Sequence, residues 1–301
     1  MKYLPQAALL VSIFSVAFAA IFITTIDQQA DIHPFVIAFY RLLFMVLLLV
    51  PFLLFSSSIR KELWGLSKKS IVSLAGIGVI LAAHFALWVT SLTLTSVASS
   101  VILVTAHPII VAPLSYILLK EQLRLAHIIG IVLSLFGVTI IVFGNIQPSD
   151  LGIDTWQGNL LALLGGIAAG LYILGGRKHR KNLGVITYAF IVYGVATCVL
   201  FMLCLIVGAS FGPYPFSIMF LLLGMALIAG LFGHTLYNWS LRYIRASLAS
   251  VALVGEPLGS AFLAFILPWI HQVPSEFTII GGMFILVGVY LTSKTITIYK
   301  K

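Results

Sequence analysis

Charged residues are scarce in this sequence. Asp, Glu, Lys and Arg make up 8% of its 301 residues, whereas hydrophobic residues make up 61%. Soluble domains carry about 25% charged and about 45–50% apolar residues. A soluble fold of this length cannot bury so much apolar surface, but a lipid bilayer accommodates it. These proportions predict an all-α integral membrane protein.

Cysteine and catalytic motifs are also scarce. The two cysteines, Cys198 and Cys204, lie in one apolar stretch, and we interpret both as reduced core residues because helix geometry disfavours a disulfide between them. No Cys spacing indicates a metal site, so neither metal nor cofactor is predicted. The apolar stretches contain no Asp, no HExxH motif and no recognisable nucleophile motif. This pattern disfavours a membrane-embedded enzyme, and no catalytic residue is assigned.

Ten stretches are long and apolar enough to cross a bilayer, since a spanning helix needs about 20 mostly apolar residues. They cover approximately residues 5–25, 35–55, 70–90, 97–118, 125–144, 158–176, 185–208, 216–240, 246–270 and 276–296. The connections between them are short, so no soluble domain is inserted. A channel would need a continuous polar stripe or a filter loop, and neither is visible.

The basic residues are confined to alternate loops. With a cytoplasmic N-terminus, all but one of the 17 Lys and Arg residues fall on the cytoplasmic side. They are Lys2, Arg60, Lys61, Lys68, Lys69, Lys120, Arg124, Arg177, Lys178, Arg180, Lys181, Arg242, Arg245, Lys294, Lys300 and Lys301. The outer loops carry Asp27, Asp31, Asp150, Asp154 and Glu276 instead. The positive-inside rule therefore predicts a cytoplasmic (inner) membrane protein with both termini in the cytoplasm. The basic stretch 177–181 is interpreted as an orientation signal that contacts anionic lipid, and not as a nucleic-acid site.

The two halves of the sequence resemble each other. Ala98-Ser-Ser-Val precedes His107-Pro108 in the first half, and Ser247-Leu-Ala-Ser precedes Glu256-Pro257 in the second. Each half has five predicted spans, an odd number, so the second half enters the membrane in the opposite direction. The prediction is two inverted five-helix repeats, residues 1–145 and 155–298, with a solute site near the midplane where they meet.

Several short motifs occur in a fixed order along the chain. They are Pro34-Phe-Val-Ile-Ala-Phe-Tyr-Arg41, the stretch from Ala98 to Pro108 followed by Lys120-Glu121-Gln-Leu, Gly158-Asn-Leu-Leu-Ala-Leu-Leu, Glu256-Pro257, and Gly137-Val with Gly288-Val-Tyr290. With these motifs the sequence resembles the ten-helix EamA-type branch of the drug/metabolite transporter superfamily over nearly its whole length. The resemblance implies an alternating-access carrier with a central cavity, often an exporter of amino acids, their derivatives or other metabolites. The acidic residue that often ends the motif of the ninth helix is His271 here.

Few ionisable side chains lie within the predicted spans, where a central charge costs at least about 2.5–3.5 kcal/mol. Glu256 is the one carboxylate deep in a span. Burial favours its neutral form, so it can couple transport to protons or bond the solute. Alternatively, it satisfies the backbone of a neighbouring helix beside Pro257. Pro108, Pro257, Gly255 and Gly259 predict bendable helices and a hinge or gate, although proline is also common in membrane helices.

Polar and aromatic residues at helical spacing predict the wall of a solute cavity. They are His84 and Trp88 in the third span, His107 in the fourth, Tyr172 in the sixth, His234, Tyr237 and Asn238 in the eighth, and Tyr40 in the second. Each can instead satisfy a neighbouring helix. Arg41 is the basic residue that breaks the charge pattern. It can bind a solute carboxylate or phosphate, snorkel outward, or pair with Asp27, Asp31 or a helix C-terminus.

These features favour a secondary active transporter, an alternating-access exporter of small organic metabolites such as amino acids or their derivatives. A phosphate-bearing solute would need several basic residues in the cavity, and only Arg41 is there. The alternative is efflux of drugs or hydrophobic cations by proton antiport, with Glu256 as counter-charge. The predicted partners are a small-molecule solute and the lipid bilayer, without nucleic acid. Proton coupling and oligomeric state stay open.

Overall fold

The computed structural model describes residues 3–95, 97–145, 153–267 and 273–293. Within them the chain forms fourteen α-helices and a π-helical segment, Ala226–Thr235. The helices are α1 Leu4–Gln29, α2 Pro34–Phe55, α3 Ser57–Trp64, α4 Lys68–Leu94, α5 Val97–Thr105, α6 Pro108–Leu119, α7 Leu125–Asn145, α8 Ile153–Arg180, α9 Val185–Ile206, α10 Phe216–Met225, α11 Leu236–Ser240, α12 Ala246–Leu253, α13 Glu256–Ile266 and α14 Glu276–Ser293. Several residues named above lie outside the described ranges: Lys2, Asp150, His271, Lys294, Lys300 and Lys301.

The apolar stretches form long helices because a helix satisfies its own backbone hydrogen bonds in lipid. Eight described helical stretches are long and apolar enough to cross a membrane: Leu4–Gln29, Pro34–Phe55, Lys68–Leu94, Ser99–Leu119, Thr155–Arg180, Val185–Ile206, Phe216–Ser240 and Ala246–Leu263. Two shorter apolar helical stretches are Leu125–Ile141 and Glu276–Thr292. The chain is thus a multi-pass, all-α membrane protein, as predicted.

Two of these spans are each built from two helices. The fourth span consists of α5 and α6, which meet at His107 and Pro108, and the ninth consists of α12 and α13, which meet at Gly255 and Glu256. Each break lies beside a proline, which has no N–H to donate to the preceding turn. The sequence predicted bendable helices here, and the structure has interrupted ones at corresponding positions of the two halves.

Glycines set the contact between α7 and α14. A Cβ atom on Gly130 would overlap the carbonyl oxygen of Gly288, and one on Gly137 would overlap that of Gly281. The reverse overlaps hold for Gly288 and Gly281. The two helices therefore pack antiparallel with their backbones in contact, which small residues permit. This pair joins the last helix of each half.

The Lys- and Arg-rich connections lie at one end of the helix bundle. We call it the basic end and define it by residues 56–67, 120–124, 181–184 and 241–245. The basic stretch 177–181, interpreted above as an orientation signal, is only partly exposed. Arg177 and Arg180 belong to the last turn of α8 and are buried at this end.

The prediction for the cysteines was half wrong. Both are free thiols, and Cys204 is buried, but Cys198 is exposed on α9. A lipid-facing helix surface is as apolar as a core, so the sequence could not distinguish the two environments.

Candidate functional site

A cavity of about 50 Å³ lies in the middle of the bundle, at the two interrupted spans. Its polar and aromatic lining consists of His84, Trp88, Thr105, His107, Tyr172, His234, Tyr237 and Glu256. The apolar lining consists of Val16, Val104, Ala169, Ile173 and Leu253. This volume holds a few water molecules.

α4 contributes a histidine and a tryptophan to the cavity wall. The rings of His84 and Trp88 are one helical turn apart and stack, with centroids 6.0 Å apart and planes inclined by 6°. His84 Nδ1 lies 2.9 Å from the carbonyl oxygen of Gly165 on α8. Because a carbonyl only accepts, Nδ1 donates, and in the neutral ring Nε2 is then an acceptor. His84 therefore offers the cavity an acceptor, held in place by a second helix.

The helix breaks place His107 and Glu256 at the cavity. His107 precedes α6, and Glu256 is the first residue of α13, so each stands where backbone groups lack intrahelical partners. Both side chains are buried, at 4% and 6% exposed. Glu256 is the one carboxyl group that lines the cavity among the described residues.

Three polar atoms of the cavity wall have no hydrogen-bond partner among the described residues. They are Trp88 Nε1, His107 Nδ1 and Tyr237 Oη. More than 90% of buried polar groups in folded proteins are paired, so each exception needs a reason. A solute that fills the cavity can supply these bonds.

Arg41 lies behind this wall and is completely buried, at 0% exposed. Its guanidinium carbon is 4.6 Å from the centre of the Phe85 ring and 5.9 Å from that of Trp88. No described residue accepts a hydrogen bond from Nε, Nη1 or Nη2. Two alternatives from the sequence were therefore wrong: Arg41 does not snorkel outward, and it forms no ion pair with Asp27 or Asp31.

Asn238 lies beside the cavity and ties its helices together. Its side-chain amide lies within hydrogen-bond distance of the hydroxyl groups of Tyr172 and Tyr193, and Nδ2 donates to the carbonyl oxygen of His234. The predicted set on the eighth span is thus gathered in one region, although the π-helical segment that contains His234 changes the spacing from that of an ordinary helix.

Tyr40 was predicted as a wall residue, but it lies away from the cavity. Its hydroxyl donates to the carbonyl oxygen of Phe211 at 2.7 Å, and its ring packs against Tyr214 in the connection before α10. Tyr40 precedes Arg41 in sequence, and successive residues of a helix point about 100° apart, so the neighbour of a buried residue can face away from it.

The residues proposed as hinges have different surroundings. Gly255, Pro108 and Pro257 lie at the breaks beside the cavity. Gly259 lies one turn further along α13, where a Cβ atom would come within 2.8 Å of Ala17 Cβ on α1. Its role in the structure is a close helix contact.

The apolar part of the wall was missed from the sequence. Ile173, Ala169 and Val16 line the cavity, and Phe85 supports Arg41 behind it. Lipid-facing and cavity-facing surfaces are both apolar in a membrane protein, so such residues give no periodic signal. For Phe85, its place between the candidates His84 and Trp88 was the available clue.

The sequence model of the EamA-like transporter family matches residues 6–143 and 156–294. An uncharacterized transporter of Archaeoglobus fulgidus is 25% identical over 293 residues, which cover 95% of this chain and 96% of that protein. Uncharacterized transporter YyaM of Bacillus subtilis is 24% identical over 252 residues, which cover 82% of this chain and 80% of the relative. One crystal structure has the same fold, with a TM-score of 0.74 at 17% identity over 96% of this chain and 97% of that one.

Proposed function

Because the chain belongs to the EamA-like transporter family, we propose that it is a secondary active carrier with alternating access. The proposed architecture is two inverted repeats, residues 1–145 and 155–298. The matched helix breaks at the cavity and the reciprocal glycine contacts of α7 and α14 support this proposal. Inverted repeats give a carrier two near-equivalent packings, one open to each side.

We propose a small zwitterionic metabolite, an amino acid or a derivative, as the solute, and export as the direction. The observation that carries this proposal is Arg41, a buried guanidinium without an acceptor behind the cavity wall. A guanidinium binds a carboxylate with two parallel hydrogen bonds, and a buried charge without such a partner is costly. Glu256 and the acceptor nitrogen of His84 would receive the amine, and Ile173 and Trp88 would contact the apolar part.

The second candidate is a hydrophobic cation that leaves by proton antiport. Glu256 supports it, as a single carboxyl group among the aromatic rings of Trp88, Tyr172 and Tyr237. Aromatic faces attract cations, and a carboxylate that alternately holds a proton and a cation couples the two. In both readings Glu256 is the proposed proton site.

The proposed location is the cytoplasmic membrane, with the basic end and both termini in the cytoplasm. This orientation is supported by Arg60 and Lys61 of the first basic connection and by Lys68 and Lys69 at the start of α4. Lys and Arg are retained in short cytoplasmic loops during membrane insertion.

Counterflow in liposomes tests the function. Purified protein would be reconstituted and offered a panel of labelled amino acids and hydrophobic cations, with and without a pH gradient. Saturable exchange of amino acids supports the zwitterion proposal, and exchange of cations alone replaces it with the second candidate. If nothing exchanges in folded protein, both solute proposals are wrong.

Two glutamine variants separate proton coupling from general damage. We expect Glu256→Gln to abolish the response to the pH gradient, since the amide cannot carry the proton. Glu276→Gln is the matched control, because Glu276 is exposed in the first turn of α14, away from the cavity. An unchanged pH response in Glu256→Gln would exclude Glu256 as the proton site.

A further inference from the structure

A buried ion pair lies at the basic end of the bundle and is the one ion pair among the described residues. Arg177 Nε donates to Glu121 Oε1 at 2.8 Å, and both side chains are 3% exposed. Glu121 belongs to the connection between α6 and α7, whereas Arg177 belongs to the last turn of α8. The pair therefore joins the two regions that match the family model separately.

The remaining bonding positions of the pair are filled by the connection before α12. Glu121 Oε2 accepts from the backbone N–H of Ala246 at 2.9 Å. Arg177 Nη1 donates to the carbonyl oxygens of Leu241 and Arg242 at 2.7 and 2.9 Å. A buried ion pair repays its desolvation only when further hydrogen bonds complete it, and this one is completed by backbone groups of a third segment. We call Glu121, Arg177 and the Ala246 N–H the basic-end cluster.

The cluster lies directly beneath the cavity. Arg177 follows the cavity residue Ile173 by four residues, about 6 Å along α8 at 1.5 Å per residue. Leu241, whose carbonyl Arg177 binds, likewise follows the cavity residue Tyr237 by four residues. The polypeptide segments that line the cavity thus converge one helical turn further on, at an ionic contact.

At the opposite end, the described residues include a neutral contact with α8. Within the described residues, Thr95 Oγ1 at the end of α4 donates to Asn159 Oδ1 on α8 at 2.9 Å, a neutral and partly buried contact. A neutral hydrogen bond is roughly half as strong as a charge-assisted one. This contact is therefore weaker than the ion pair at the basic end.

We propose that the basic-end cluster is the gate that closes the cavity toward the basic end, and that it must separate for a solute to pass there. The inference rests on the proposed alternating access. Separation exposes the Glu121 and Arg177 charges to water, which compensates for the lost ion pair. In the open gate the two charges are hydrated, and in the closed gate they are paired with each other.

The direct test is access to the cavity from each side of the membrane. Ile173→Cys would serve as reporter in a background with Cys198→Ser and Cys204→Ala, using a membrane-impermeant maleimide on vesicles of both orientations. A cavity of about 50 Å³ is too small for this reagent, so labelling reports states in which the cavity is wider. We expect Glu121→Gln to raise the labelling rate from the basic side on the order of tenfold, a typical size for coupled equilibria.

The labelling rate from the opposite side should fall in the same variant, because the two open states compete for one population. A misfolded protein would instead react faster from both sides. The double variant Glu121→Gln/Arg177→Gln should show the same shift, which excludes an effect of the unpaired arginine alone. Unchanged rates, or faster labelling from both sides, would overturn the gate.

A second carboxylate at the same end gives the matched control. Glu62 also accepts bonds from the other half, from the Gly184 N–H at 2.8 Å and from the Thr187 hydroxyl, but it contacts neither Arg177 nor the cavity. We expect Glu62→Gln to leave both labelling rates unchanged. A shift equal to that of Glu121→Gln would overturn the assignment of the gate to the cluster.

The labelling assay needs no solute, so it stays informative if the solute proposal fails. The reporter Ile173→Cys is also measured in protein with an intact basic-end cluster. If it reacts from only one side of the membrane under every condition, alternating access itself is wrong. If it reacts from both sides and Glu121→Gln leaves both labelling rates unchanged, alternating access is supported and the proposed gate is wrong.

Discussion

Replacement of Arg41 by methionine should stabilise the protein while it destroys solute binding. Methionine is similar in length but carries no charge. Arg41 is 0% exposed, and no described residue accepts a hydrogen bond from its three nitrogens. A buried charge without a hydrogen-bond partner breaks a rule of protein interiors, and such exceptions are expected at functional sites.

The sign of the stability change in Arg41→Met follows from two opposing contributions. A buried charge without a hydrogen-bonded partner costs at most about 3–5 kcal/mol here, because the Glu256 carboxyl group lies within electrostatic range of Arg41. The offsetting contact with Phe85, at 4.6 Å, contributes about 2 kcal/mol when desolvated. Trp88, at 5.9 Å, lies at the limit of this interaction and adds little. The net stabilisation expected for Arg41→Met is about 1–3 kcal/mol, which raises the unfolding midpoint by several degrees.

Arg180 provides a control for which the stability change should have the opposite sign. It is also buried, at 1% exposed, but its guanidinium donates to the carbonyl oxygens of Asn238 and Leu183. Its removal leaves these acceptors unpaired, which costs about 1–3 kcal/mol for each group. We therefore expect Arg180→Met to lower the unfolding midpoint.

The measurement is the fraction of monodisperse protein that survives heating in detergent, followed by counterflow of any solute that the wild type exchanges. Arg41→Met should survive at higher temperature and lose the exchange of carboxylate solutes. If Arg41→Met instead lowers the midpoint as Arg180→Met does, Arg41 has a structural role and the solute proposal loses its main support.

Three further predictions concern packing and the cavity wall. Gly137→Ala should destabilise the protein by about 1–3 kcal/mol in a thermal unfolding assay, because the added methyl group forces α7 and α14 apart. Gly76→Ala is the control and should not destabilise it, because no atom lies within 4 Å of the added Cβ. If the two variants unfold alike, the backbones of α7 and α14 are not in contact. His84→Asn should lower exchange of amine-bearing solutes about tenfold, as expected for one lost hydrogen bond, and an unchanged rate would remove His84 from the solute site. Tyr40→Phe should leave exchange unchanged, because its hydroxyl bonds the connection before α10, and lost exchange would return Tyr40 to the wall.

The sequence by itself determined the environment, the helices and their approximate limits. Sparse charge and long apolar stretches require a bilayer, and the bilayer leaves few alternatives to helices. Glu256 and Arg41 could be singled out because an ionisable side chain inside an apolar span is costly enough to need a reason. The prolines at 108 and 257 marked the two interruptions for a similar reason, since proline cannot continue the hydrogen bonding of a helix.

The tertiary structure alone decided which way each side chain faces. Lipid and protein interior are equally apolar, so hydrophobic periodicity vanishes. The sequence therefore did not distinguish Ile173, which lines the cavity wall, from Cys198, which lies on the exposed surface. The sequence likewise did not show that Tyr40 faces away from the cavity whereas its neighbour Arg41 lies behind the cavity wall. Glu121 and Arg177 are 56 residues apart and looked like ordinary loop charges. Only the convergence of distant segments brings them together as a buried pair beneath the cavity, because pairing between charges depends on distance in space and not along the chain.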